Sequence, residues 1–67
     1  MRFMSTGRTG NYWVWSGDTY LGEVWKEKDS WWSARSADGA VTAASSYPTR
    51  RDAAWWLTTP QAQRRQS

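Results

Sequence analysis

The chain contains no cysteine and no histidine. The first absence excludes disulfide staples and thiolate metal sites. The second removes the side chain that most often acts as a general base or metal ligand near neutral pH. No apolar run approaches the ~20 residues that span a bilayer, so no membrane association is expected. The segment Met1-Arg2-Phe3-Met4-Ser5-Thr6-Gly7 has a basic residue but no apolar stretch behind it. No signal peptide is therefore expected, and a cytoplasmic chain is the default. Gly7-Arg8-Thr9-Gly10 lacks the lysine and the spacing of a phosphate-binding loop.

Carboxylates are also few. Of the six, Asp18, Asp29 and Asp38 fall at turn signals and Asp52 at a helix start, where turn and capping chemistry accounts for them. Glu23 and Glu27 remain, and without a histidine or cysteine they form no recognisable catalytic pair. The expectation is a binding module with no enzymatic activity, cofactor, metal or small-molecule substrate.

What the chain has in abundance is tryptophan, seven in 67 residues, with three tyrosines. A single core of this size supplies only about 3–5 kcal/mol of net stability. Each buried aromatic side chain removes about 150–250 Å² from water, so the rings are the natural source of that stability. The net charge is +3, which invites a nucleic-acid partner. The excess lies at the ends, in Arg2, Arg8, Arg64 and Arg65. Between residues 11 and 58 five basic side chains face six acidic ones, a balance of −1.

Turn signals punctuate the middle of the chain at Ser16-Gly17-Asp18-Thr19, Glu27-Lys28-Asp29-Ser30 and Ala37-Asp38-Gly39-Ala40. Between them lie Trp, Tyr, Val, Leu and Thr, which suit a pleated half-buried surface. The pattern predicts an α+β domain over 11–58, after a flexible leader (1–10) and before a polar tail (59–67). Three or four antiparallel strands are expected, at about 11–16, 19–26, 31–36 and 41–46. After Tyr47-Pro48, Thr49 is a candidate N-cap with Asp52 three residues on, and Arg50 to Leu57 reads as a helix halted by Thr58-Thr59-Pro60.

Hairpin parity sharpens this. A two-residue turn at Gly17-Asp18 predicts Trp15 opposite Tyr20, Val14 opposite Leu21 and Trp13 opposite Gly22. Leu21 and Val24 can both point inward only if a bulge lies near Gly22. A three-residue loop at 27–29 pairs Val24 with Trp32 and Trp25 with Trp31. The inward set is then Tyr12, Val14, Leu21, Val24, Trp32, Ala34 and Ala43, closed by Ala53, Trp56 and Leu57, with Ala54 at the helix-face edge. The opposite face carries Trp13, Trp15, Tyr20, Trp25, Trp31 and Arg35, an apolar patch that a monomer seldom exposes without use. The ends folding across it, or a homodimer seam, are the alternatives.

Trp32-Ser33-Ala34 resembles the Trp-x-Ala strand of the plant AP2-type DNA-binding domain and of the arm-site domains of some phage integrases. Tyr47-Pro48-Thr49-Arg50-Arg51-Asp52-Ala53-Ala54 resembles the segment that opens the helix in that family. The similarity spans about residues 12–57, and small phage and actinobacterial proteins of unknown function look alike. The resemblance implies a three-stranded sheet with a C-terminal helix, whose outer face lies in the DNA major groove. The matching positions here are Trp13, Trp15, Tyr20, Trp25, Trp31 and Arg35, with Lys26 and Lys28 near an edge and Arg2, Arg8, Arg64 and Arg65 as tail contacts to phosphates. The family's dense arginines are missing from this face. The resemblance makes DNA the expected partner, and the missing arginines leave a host protein or a second copy of the chain, held through the tryptophan cluster, as the alternative.

Overall fold

A computed structural model describes residues 1–59. The turn chemistry read above produces a meander. Strands β1 (Arg2–Ser5), β2 (Asn11–Ser16), β3 (Thr19–Lys26), β4 (Trp32–Ser36) and β5 (Thr42–Tyr47) lie in chain order, each antiparallel to the next. Helix α1 (Arg50–Trp56) follows and packs across β3, β4 and β5. The sheet with one C-terminal helix is as expected, but it has five strands, where three or four were predicted.

The additional strand is β1, inside the segment expected to be a flexible leader. Local pattern does not mark Arg2-Phe3-Met4-Ser5 as a strand, because its order comes from distant partners. Phe3 lies opposite Val14, and its ring meets that of Tyr12 edge-on at 6.2 Å. The Arg50 guanidinium, at the start of α1, sits 4.4 Å from the Phe3 ring centre and 4.7 Å from that of Tyr12. One cation thus ties the first strand to the helix.

Ser16 pairs with Thr19 around the Gly17-Asp18 turn, and Trp15 faces Tyr20 as predicted. Beyond that pair the ladder shifts. Val14 faces Gly22 and Trp13 faces Glu23, which corrects the predicted Val14–Leu21 and Trp13–Gly22 pairs. Leu21 is the extra residue of a bulge, next to the glycine where one was expected. Gly22 has a φ of 145°, and a Cβ there would collide with the Arg35 carbonyl oxygen and crowd Leu57. The two strands and the helix approach this closely only over a bare glycine.

The second hairpin is also displaced. Val24 pairs with Ala34, Trp25 with Ser33 and Lys26 with Trp32, replacing the predicted Val24–Trp32 and Trp25–Trp31 pairs. The Glu27 amide donates to the Trp31 carbonyl at 2.8 Å, and Ser30 takes the left-handed position with φ 72°. Asp29 Oδ1 accepts from the Trp31 amide, fixing a loop centred one residue later than predicted. Trp31 is thereby left just outside β4, which starts at Trp32. The partner of each β3 residue changes by two positions, so the faces keep their assignment.

Val14, Val24, Ala34, Ala53, Ala54, Trp56 and Leu57 form the buried core. Tyr12, Leu21, Trp32 and Ala43, all predicted inward, are half-buried around it, joined by Phe3, Val41 and Tyr47. Ala54, placed at the edge of the helix face by its spacing, is fully buried. Thr49 caps α1, its side chain accepting from the Asp52 amide at 3.1 Å. At the other end the hydroxyls of Thr58 and Thr59 donate back to the carbonyls of Trp55 and Trp56, both at 2.7 Å, and so close the helix. Among the described residues no helix is long and apolar enough to cross a membrane.

Candidate functional site

Strand alternation assigns one row of side chains to α1 and the other to the reverse of the sheet. The reverse row includes Arg2 and Met4 from β1, Asn11, Trp13 and Trp15 from β2, Tyr20, Glu23 and Trp25 from β3, Ser33 and Arg35 from β4, and Thr42 from β5. The helix packs on the opposite side, and β1 extends the sheet at its edge, so neither covers this face. Trp13 is 39% exposed and Met4 44%, side by side in register.

Two concavities lie on the face. Trp13, Trp15 and Tyr20 line an open apolar cleft of about 390 Å³. The Trp15 and Tyr20 rings are 5.3 Å apart and inclined at 49°, a tilted pair that forms one wall. The Trp15 indole nitrogen is buried with no acceptor among the described residues, so packing alone holds that ring. The Tyr20 hydroxyl is pushed above the usual tyrosine range, first by burial and then by the nearby Glu23 carboxylate, with Arg35 opposing.

The second is a polar trough of about 310 Å³, lined by Arg8, Thr9 and Gly10 from the β1–β2 loop, by Asn11 at the start of β2, and by Glu23, Trp25, Lys26 and Arg35. The loop that forms its rim is fixed by its own bonds. The Thr6 hydroxyl donates to Asn11 Oδ1 at 2.6 Å, the Asn11 amide donates to the Arg8 carbonyl, and the Lys26 amide donates to the Gly10 carbonyl at 2.9 Å. Glu23 lies between the two concavities. It sits opposite Trp13 across the β2–β3 ladder, and its Oε1 accepts from Arg35 Nη2 at 2.8 Å. Arg35 also lies 5.4 Å from the Trp25 ring centre, so that cation is held by a carboxylate and an indole together.

The other acidic side chain here is engaged structurally. Glu27 Oε2 accepts from the Trp25 indole at 2.8 Å and from the Ser33 hydroxyl at 2.6 Å. Ser33 Oγ in turn accepts from the Ser45 amide at 2.7 Å, where β5 is bulged and Ser45 has a φ of 49°. This chain of bonds satisfies a fully buried serine and fixes the Trp25 ring. Among the described residues no group of three acidic, histidine or cysteine side chains could hold a metal ion.

The predicted site residues are thus partly united. Trp13, Trp15, Tyr20, Trp25 and Arg35 share one face. Trp31, 44% exposed, stands in the loop before β4 in place of the predicted strand position. Lys26 belongs by alternation to the helix-side row but borders the trough from the end of β3, and Lys28 is exposed in the following loop. Arg2 and Arg8 were expected on a flexible leader. Instead Arg2 lies in β1 opposite Trp15, and Arg8 lines the trough. Arg64 and Arg65 lie outside the described residues. Sequence reading missed Glu23 as the link between cleft and trough, which placing the bulge at Leu21 would have revealed. It also missed Met4, because β1 was not foreseen. Trp55, 66% exposed on α1, stands on the other side of the molecule. No known protein family, curated protein or solved structure matches the chain.

Proposed function

We propose that this chain is a non-enzymatic module that binds nucleic acid, in single-stranded form, across the outer face of the sheet. The observation that carries the reading is the apolar aromatic cleft of Trp13, Trp15 and Tyr20 beside a trough bordered by Arg8, Lys26 and Arg35. A single strand needs both features at neighbouring positions: ring faces for its bases and cations for its phosphates. Base stacking on an aromatic side chain contributes about 1–3 kcal/mol and requires no fixed sequence.

The AP2-type resemblance suggests a sheet laid in the major groove, but width argues for a single strand. Five strands at about 4.8 Å spacing extend some 19 Å between outer strands. The major groove is only about 12 Å across. A second reading, a protein partner or a second copy of the chain, is favoured by one feature: Glu23 neutralises Arg35 at the middle of the face. Salt separates the two. Binding of a labelled oligodeoxynucleotide, followed by fluorescence anisotropy, is expected to weaken about tenfold or more between low and moderate salt if several phosphates are contacted. Trp13→Ala is expected to remove most of the binding while circular dichroism stays unchanged. No binding at low salt contradicts the nucleic-acid reading, and concentration-dependent sedimentation of the free chain supports the other.

A further inference from the structure

Resting on the nucleic-acid reading above, we infer that Glu23 selects the base seated on Trp13, favouring bases that carry an exocyclic amino group over thymine. The inference starts from position. Glu23 is the direct cross-strand neighbour of Trp13, the exposed ring of the cleft, and it also lines the trough. Directly opposed side chains on one face of an antiparallel pair have Cβ atoms about 4.5–5.5 Å apart. A base stacked on Trp13 therefore brings its edge within reach of the carboxylate.

The two carboxylate oxygens are not equivalent. Oε1 is taken by Arg35, whereas Oε2 accepts no hydrogen bond from the described residues. The Glu23 side chain is 22% exposed, partly shielded yet open to a ligand. An ionised carboxylate is an acceptor only. It suits the amino group of cytosine, adenine or guanine, and it is repelled by the two carbonyl oxygens that flank the single N–H of thymine. In a single strand that edge is free, since no complementary base occupies it. Arg35 makes a carboxylate tolerable next to a polyanion. It cancels the charge of Glu23 in the free protein and, at 47% exposure, can turn toward a phosphate in the trough.

The test uses oligodeoxycytidine and oligodeoxythymidine of equal length, two pyrimidines of the same size, titrated at one salt concentration. The wild-type chain is expected to bind the cytidine strand about tenfold more tightly, the worth of one charge-assisted hydrogen bond. Glu23→Gln, which replaces one acceptor by a donor, is expected to abolish or reverse the ratio while binding of the thymidine strand holds or improves. Thermal melting checks that the variant is folded, and Glu23→Ser, compatible with the strand, serves if it is not. Equal wild-type affinities for the two strands overturn the inference and leave the nucleic-acid reading standing. A preference unchanged in both variants overturns it as well. Binding of neither strand overturns both.

Discussion

Gly22 is the residue on which the two faces of the sheet meet. Its φ of 145° is open to glycine and strained for any other residue, and the space a Cβ would need is held by the Arg35 carbonyl and Leu57. Gly22→Ala is therefore expected to destabilise the fold by about 2–4 kcal/mol, combining backbone strain with overpacking. In a domain with only about 3–5 kcal/mol to lose, urea denaturation should find the variant largely unfolded. A midpoint within error of wild type would show that β3 can move away from β4 and α1 at this point. The residue was legible in part: parity between Leu21 and Val24 demanded a bulge near it. Parity could not say on which side of the glycine the extra residue falls, and that side decides whether Trp13 faces a glycine or Glu23.

Among the elements, β1 shows how far local sequence reaches. The turns at Gly17-Asp18 and Asp38-Gly39 and the Thr49 cap were readable, because each depends on residues within a few positions of it. The second hairpin was readable only in parity, since Ser30 adopts a left-handed conformation that its side chain does not advertise. β1 was not readable at all. Its order rests on pairing with β2 and on Arg50, which lies far along the chain and clamps Phe3 and Tyr12. Arg50→Ala is expected to accelerate amide hydrogen exchange in β1 several-fold or more, consistent with the loss of cation–π contacts worth about 0.5–2 kcal/mol. Exchange at the centres of β3 and β4 should change little. Equal acceleration everywhere would mean that Arg50 supports the whole domain and not the first strand.

At the scale of the whole molecule, the sheet divides aromatic side chains between two tasks. Trp32 packs against the core and Trp56, on α1, is part of it, while Trp13, Trp15 and Trp25 line the reverse. Composition and alternation made this division legible. The charge pattern was less so, because Arg8 and Lys26 reach the trough through the β1–β2 loop and the end of β3. Two half-buried tyrosines, one on each face, are expected to make stability fall on the alkaline side. The Tyr20 hydroxyl is raised, by burial first and then by Glu23 against an opposing Arg35, and the Tyr47 hydroxyl is raised by burial. Each group holds its proton in the folded chain at a pH where the unfolded chain has lost it. Their contribution is full below the ordinary tyrosine value of about 10 and declines as pH rises through the folded-state values. Melting temperature should accordingly fall above about pH 10, in step with late phenolate absorbance, and Tyr20→Phe should reduce that fall.

The indole N–H signals of the seven tryptophans provide the most direct test of the face assigned to binding. An isotope-labelled chain titrated with single-stranded DNA at low salt is expected to show the largest displacements at Trp13 and Trp25. Trp32, Trp55 and Trp56 are expected to stay in place. Displacements confined to Trp55 and Trp56, with Trp13 and Trp25 unmoved, would put the binding surface on the helix side and contradict the assignment.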